Sequence, residues 1–290
     1  MISLVQAEQN QGQVTRKKIY AKLERDLKRP IVSLFTSFKY PVMINDSDAD
    51  MIEGLLQKMD LSNGLAVVIN SPGGLGLAAE RIIKACRTYS GTGEYWAIVP
   101  GKAKSAATMI CLGADKILMG PTSELGPIDP QMRLETGEVC SAYNIIKSYE
   151  ELFNDAVSTK GHIEPYLQQL KNYDRRLIEE YKMEQAFSED IAIKSLERGM
   201  MKGLSKKEIK DKIKVLLTPE KTKVHGRPIY RDEAEEFGLK IDKLIQTTPF
   251  WKLLYELYIR TNNFTLAKVS KAIESRNQGW IAPIPEVKKK

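Results

Sequence analysis

Between residues 30 and 120 short apolar runs alternate with stretches of helical periodicity, and that alternation limits the folds open to the chain. "PIVSLFTSF" (30–38), "GLAVVINSPGG" (64–74), "YWAIVPG" (95–101) and "DKILMG" (115–120) read as strands bounded by turn residues. Between them, "NDSDADMIEGLLQKM" (45–59), "LGLAAERIIKACRTYS" (75–90) and "SAATMICLGA" (105–114) read as helices, the first opening on capping residues. Strands separated by helices need crossover connections, so the expected class is α/β with a mainly parallel sheet.

The flanks differ in texture. Residues 15–29 read as a charged amphipathic helix stopping at Pro30, and residues 142–161, 165–201 and 205–218 read as helices, the last with a capping box at Ser205 and Glu208. A short extended segment and a helix ended by Gly238 follow over 226–242, and the aromatic-rich stretch 249–275 reads as helix. The expected organisation is an N-terminal helical arm (1–29), a main domain (30–245) with a helical insertion at about 142–222, and a C-terminal helical tail (246–290). Phe250, Trp251, Leu254, Tyr255 and Tyr258 form a stripe on that tail, suited either to a partner copy or to the protein's own core.

Composition narrows the function. With 290 residues, 42% of them hydrophobic, the chain can bury a sizeable core. The net charge of +7 comes from lysines that are scattered, gathered at 202–223, or placed at the end of the chain, and no binding motif accompanies them. They read as solvated surface, and no nucleic-acid partner is expected. No apolar run approaches the length of a membrane span and no secretory signal opens the chain, so a cytoplasmic protein without a membrane span is expected. Cys86, Cys111 and Cys140 have neither ligand spacing nor an even count, and read as reduced, mostly buried thiols. Two histidines and carboxylates at salt-bridge intervals leave no metal site, and neither GxGxxG nor GxxxxGK[ST] is present. No cofactor is expected, and the chain carries no ATPase of its own.

Two segments can carry chemistry. Gly73-Gly74, at the end of a strand, can serve a tight turn alone, or can leave amides free to face a ligand. Ser105, at the start of an Ala-rich helix, can cap that helix or act as a nucleophile. Both lie where parallel strands end and helices begin, the edge where α/β sites collect. One segment offers amides and the other a hydroxyl.

"NSPGG", followed about thirty residues later by "GKAKSAATMICLGADKILMGPTSELGPIDPQ", resembles the superfamily of Clp protease subunits and signal peptide peptidase A, and most closely its serine dehydrogenase proteinase family. "HGRPIYRDEAEEFGLKID" supports the likeness again. The resemblance implies a Clp/crotonase-like repeated β-β-α spiral, a polypeptide substrate, a homo-oligomer and a possible regulatory protein partner. It implies that Ser105 is the nucleophile and that the amides of Gly74 and Ala106 form the oxyanion hole. The base departs from the Clp pattern: Asp129 stands in the neighbourhood where Clp subunits have histidine. Lys147 lies in the window where signal peptide peptidase A carries its lysine base, and His225 precedes the segment resembling the stretch near the Clp triad aspartate. Asp129 can orient a base. His162 reads as a cap or surface group. A crotonase-like acyl-CoA enzyme and a catalytically silent scaffold of the same fold are the competing functions.

Overall fold

The computed structural model describes residues 12–286 apart from Thr92, Glu135 and Thr136. The first eleven residues of the expected arm and the closing lysines lie outside the described residues. After a short 3-10 turn, helix α1 (Lys17–Leu27) buries Ile19, Tyr20 and Leu23 on one face. Strand β1 (Ile31–Thr36) leads to α2 (Asp46–Leu56), whose capping box pairs Asn45 with Asp48. Then come β2 (Leu65–Asn70), α3 (Gly76–Ser90), β3 (Tyr95–Val99), the two-residue β4 (Lys102–Ala103), α4 (Ala106–Leu112), β5 (Lys116–Met119) and β6 (Glu124–Leu125). A hairpin of β7 (Gln131–Arg133) and β8 (Val139–Ser141) opens the helical region, which comprises α5 (Ala142–Ser158), α6 (Glu164–Leu170), α7 (Arg175–Arg198), α8 (Lys206–Leu217) and α9 (Pro219–Thr222). The chain closes with β9 (Ile229–Tyr230), α10 (Arg231–Glu236), β10 (Ile241–Lys243), α11 (Pro249–Ala267), β11 (Lys271–Ser275) and β12 (Gly279–Ala282).

The central sheet runs β10-β5-β3-β2-β1-β11-β12. Its first five strands are mutually parallel, and β11 and β12 add antiparallel at the far side. β1 and β2 are buried along their whole length, as expected for strands covered on both faces. One face packs the apolar sides of α2, α3, α4, α7 and α8, and the other packs α1 and α11. A second small sheet, β4-β6-β9, stands at the carboxyl edge of the parallel strands.

Two expected helices change. The stretch 249–275 is helical only to Ala267, after which Lys271–Ser275 forms β11, pairing Val32 with Ser275 and Thr36 with Lys271. Lys271 and Glu274 look like surface charges in sequence, yet both are buried against charges far along the chain, Asp48 and Arg16. The stretch 165–201 divides after Leu170, and α7 starts afresh where the Asp174 side chain accepts from the Arg176 amide. Of the aromatic stripe, Trp251 and Leu254 are buried against the sheet, with Phe250, Tyr255 and Tyr258 partly buried beside them. These side chains pack within the chain itself.

Candidate active site

Ser105 lies in a sharp elbow. The Ser71 amide donates to Lys102 O (2.9 Å) and the Lys104 amide to Ser71 O (3.0 Å), so the entry to the elbow is stitched to the end of β2. Ser105 itself has φ 50 and ψ −121 at the N-cap of α4, and its side chain makes no capping bond. Positive φ costs a serine conformational energy, and a cap would need only ordinary extended backbone. The surroundings impose this geometry. Every residue of α4 is buried, and Thr108 Oγ1 donates to Ala103 O (2.8 Å) while accepting from the Gly126 amide (3.1 Å). That hydroxyl clamps the strand before the elbow to the loop leading towards Asp129.

The glycine turn faces the serine. Gly73 has φ 105, and a Cβ there would stand 2.8 Å from Ser105 Cβ and 3.1 Å from Ala106 N. A Cβ on Gly74 would overlap the Ile44 backbone, whose amide donates to Gly73 O (2.8 Å) and whose carbonyl accepts from Leu75 N (2.9 Å). Only glycine permits this approach of two backbones. Gly73 N donates to Ser71 Oγ (3.1 Å), whereas among the described residues no protein acceptor meets the amides of Gly74 or Ala106.

Of the candidate bases, His225 has a carboxylate partner. Its Nδ1 lies 2.7 Å from Asp129 Oδ1, with Asp129 fully buried and the imidazole 27% exposed. The antiparallel pairing of β6 with β9 sets Glu124 opposite Tyr230 and Leu125 opposite Ile229. Continuing that register four residues brings Asp129 opposite His225, so the pairing of the strands delivers the pair of side chains. Gln131 Nε2 donates to Asp129 Oδ2 (2.7 Å) and holds the carboxylate from its other side.

Lys147 lies on α5 with its ammonium 3.7 Å from Glu220 and 4.0 Å from Glu151, about half exposed, the contacts of a surface ion pair. His162 is exposed between α5 and α6. Ser105 is half-buried and, among the described residues, its hydroxyl bonds to none of these groups. Lys104, next in the chain to the serine, turns to Leu125 O (3.0 Å) and Glu124 (3.1 Å); burial lowers its pKa, and Glu124 opposes that. Sequence reasoning passed over Thr108 and Gln131, and only the polar residue inside the apolar run "SAATMICL" hinted at the first. Among the described residues no group of three His, Cys, Asp or Glu side chains is placed to hold a metal ion, and no helix is long and apolar enough to cross a membrane.

A serine elbow opposite a diglycine turn, at the carboxyl edge of a mainly parallel sheet, sits here on a ClpP-like fold. Residues 9–263 match the ClpP-like SDH-type serine proteinases, and the chain belongs to that family. It is 28% identical over 271 residues to the uncharacterized protein MJ0137 of Methanocaldococcus jannaschii, covering 89% of this chain and 83% of that one. A second protein of that organism, the uncharacterized MJ1495, is 38% identical over 66 residues, 23% of this chain and 22% of its own length. Among solved structures, a mutant of the 1510-N membrane-bound stomatin-specific protease aligns at 20% identity with a TM-score of 0.31, over 40% of this chain. The chain spans 61% of that structure, under two thirds of its length.

Proposed function

We propose that this protein is an ATP-independent serine peptidase that cleaves polypeptides through an acyl-enzyme on Ser105. The observation that carries the reading is the positive-φ serine, uncapped, whose Cβ and following Ala106 amide lie directly against Gly73. Ser105 Oγ attacks the peptide carbonyl, and the Gly74 and Ala106 amides, which no protein acceptor occupies among the described residues, receive the developing oxyanion. With Nδ1 donating to Asp129, neutral His225 keeps the Nε2 lone pair for the serine proton. It then returns that proton to the leaving amine, and water repeats the cycle to release the acyl group. Among the described residues no hydrogen bond joins Oγ to the imidazole, so on this reading substrate binding brings the two into reach.

A fluorophosphonate probe and a denatured-protein substrate test the proposal. Ser105→Ala is expected to abolish labelling and turnover, and His225→Gln to lower turnover by about 10²–10⁴-fold. Asp129→Asn is expected to follow His225→Gln, while Lys147→Met stays within about twofold of wild type. Equal labelling of wild type and Ser105→Ala would sink the reading. Loss on Lys147→Met with retention in His225→Gln would move the base to Lys147. That the Ser105 hydroxyl meets no base among the described residues favours a second reading, a silent scaffold, which predicts stable capture of a polypeptide with no measurable turnover.

The proposal includes a homo-oligomer. Phe153, Val157 and Met183 leave apolar surface on α5 and α7, with Val157 71% and Met183 69% exposed. A monomer in light scattering at micromolar concentration would count against it. The three free thiols fit a reducing, cytoplasmic setting.

A further inference from the structure

A trans peptide is a plane whose carbonyl and N–H point in opposite directions. No described peptide bond is cis, so whatever holds Gly73 O also aims the Gly74 N–H. The holder is the Ile44 amide, 2.8 Å from Gly73 O, and Ile44 O accepts in turn from Leu75 N. Ile44 therefore brackets Gly74 from both sides. Its own direction is set one residue on, where the Asn45 amide donates to Asp48 Oδ2 (2.9 Å) and Lys271 Nζ donates to the same oxygen (2.7 Å).

Asp48 is fully buried and the Lys271 side chain is 5% exposed. Desolvating two charges is a poor route to stability, because an apolar pair of equal volume does as well or better. Asp48 Oδ1 is moreover buried without a hydrogen-bond partner among the described residues. What the pair supplies is direction: it ties the loop before α2 to β11, a strand beyond residue 263, where the match to the family ends.

We infer that Lys271 and Asp48 are positioning residues that aim the Gly74 amide at Ser105, so that β11 completes the oxyanion site. The inference rests on the peptidase reading for its catalytic half and on the loop geometry alone for its positional half. Full-length Lys271→Met, Asp48→Asn and the double variant test both halves. The double variant removes both charges, and so remains informative if a single stranded charge prevents folding.

Hydrogen exchange by mass spectrometry over 41–48 and 69–77 reads the loop, and the rate of fluorophosphonate labelling reads Ser105. In the folded variants, exchange is expected to rise at least tenfold in both segments and labelling to slow at least tenfold. The double variant is expected to regain thermal stability without regaining the labelling rate, a split that a merely structural pair would not show. Wild-type exchange and labelling in a folded double variant would overturn the inference. An unlabelled wild type would defeat the peptidase reading instead, and unchanged exchange would still overturn the positional half by itself.

Discussion

Gly73 shows how little room a residue can have. Its φ of 105 is unfavourable for any side chain, and an added Cβ would lie 2.6 Å from Lys104 O as well as against Ser105. Gly73→Ala is therefore expected to cost about 1–3 kcal/mol in urea unfolding. Because relief must push Ser105 and the Ala106 amide aside, phosphonate labelling is expected to fall about 100-fold. A variant that loses stability but labels at the wild-type rate would show that the turn and the serine are independent. The thiols offer a second residue-scale check. Burial pushes the Cys86 thiol up to about 12 and the Cys111 thiol higher still, whereas Cys140 on β8 is only half-buried. Alkylation of the native protein at pH 8 is expected to modify Cys140 first, with Cys86 and Cys111 reacting only on unfolding. The diglycine turn was legible in the sequence, since short-range composition announces a backbone turn, whereas Ser105 read locally as a helix cap or a nucleophile and stood out only beside the glycines and the family resemblance. The Asp129–His225 contact was not, because nothing within either segment specifies a partner 96 residues away.

The same limit explains β11 at the scale of the element. "KAIES" lacks the β-branched richness of β1 and β2, and its charges imitate an exposed helix. Burial depends on distant partners: Arg16 grips both oxygens of Glu274, through Nε (2.9 Å) and Nη2 (2.5 Å), with both side chains fully buried. Tyr20 OH adds a contact to the same carboxylate (3.4 Å) and another to Ser33 Oγ (2.5 Å). Glu274→Ala would remove from the buried guanidinium the carboxylate it grips through two nitrogens, and a loss of about 3–5 kcal/mol is expected. Arg16→Met combined with Glu274→Leu is expected to recover most of that loss, because no charge is then left buried alone. Thermal melts of the single and double variants check this; a double variant as unstable as Glu274→Ala would show that the network stabilises through more than its charges. The parallel strands β1, β2, β3 and β5 needed no such information, since each is mainly apolar and bounded by turns, whereas the charged β10 gave no such signal.

For the whole molecule, the question is whether the segment after residue 245 is a separable tail or part of one cooperative fold. Local pattern suggested a tail, because aromatic helix followed the last βα unit. The sheet argues otherwise, since β11 lies between β1 and β12 and packs Ile273 into the core beneath α2 and α3. α11 covers the opposite face with Trp251, which presses against Gly120 so closely that a Cβ there would be blocked by the indole. Three tryptophans sample these regions: Trp96 on β3 between Arg29 and Lys116, Trp251 on α11, and Trp280 on β12. In single-tryptophan variants, with Phe at the other two positions, urea transitions of Trp96 and Trp251 are expected to share one midpoint and one slope. Trp280, on an edge strand that pairs with β11 and packs against the core, is expected to join them, because losing β12 would bare the buried flank of β11. An earlier transition confined to Trp280 would assign the last strand to local fraying. An earlier transition of Trp251 and Trp280 together, with Trp96 still native, would make the C-terminal segment a separate unit, and would detach Lys271 from Asp48 and the loop before α2 under conditions where the sheet core survives.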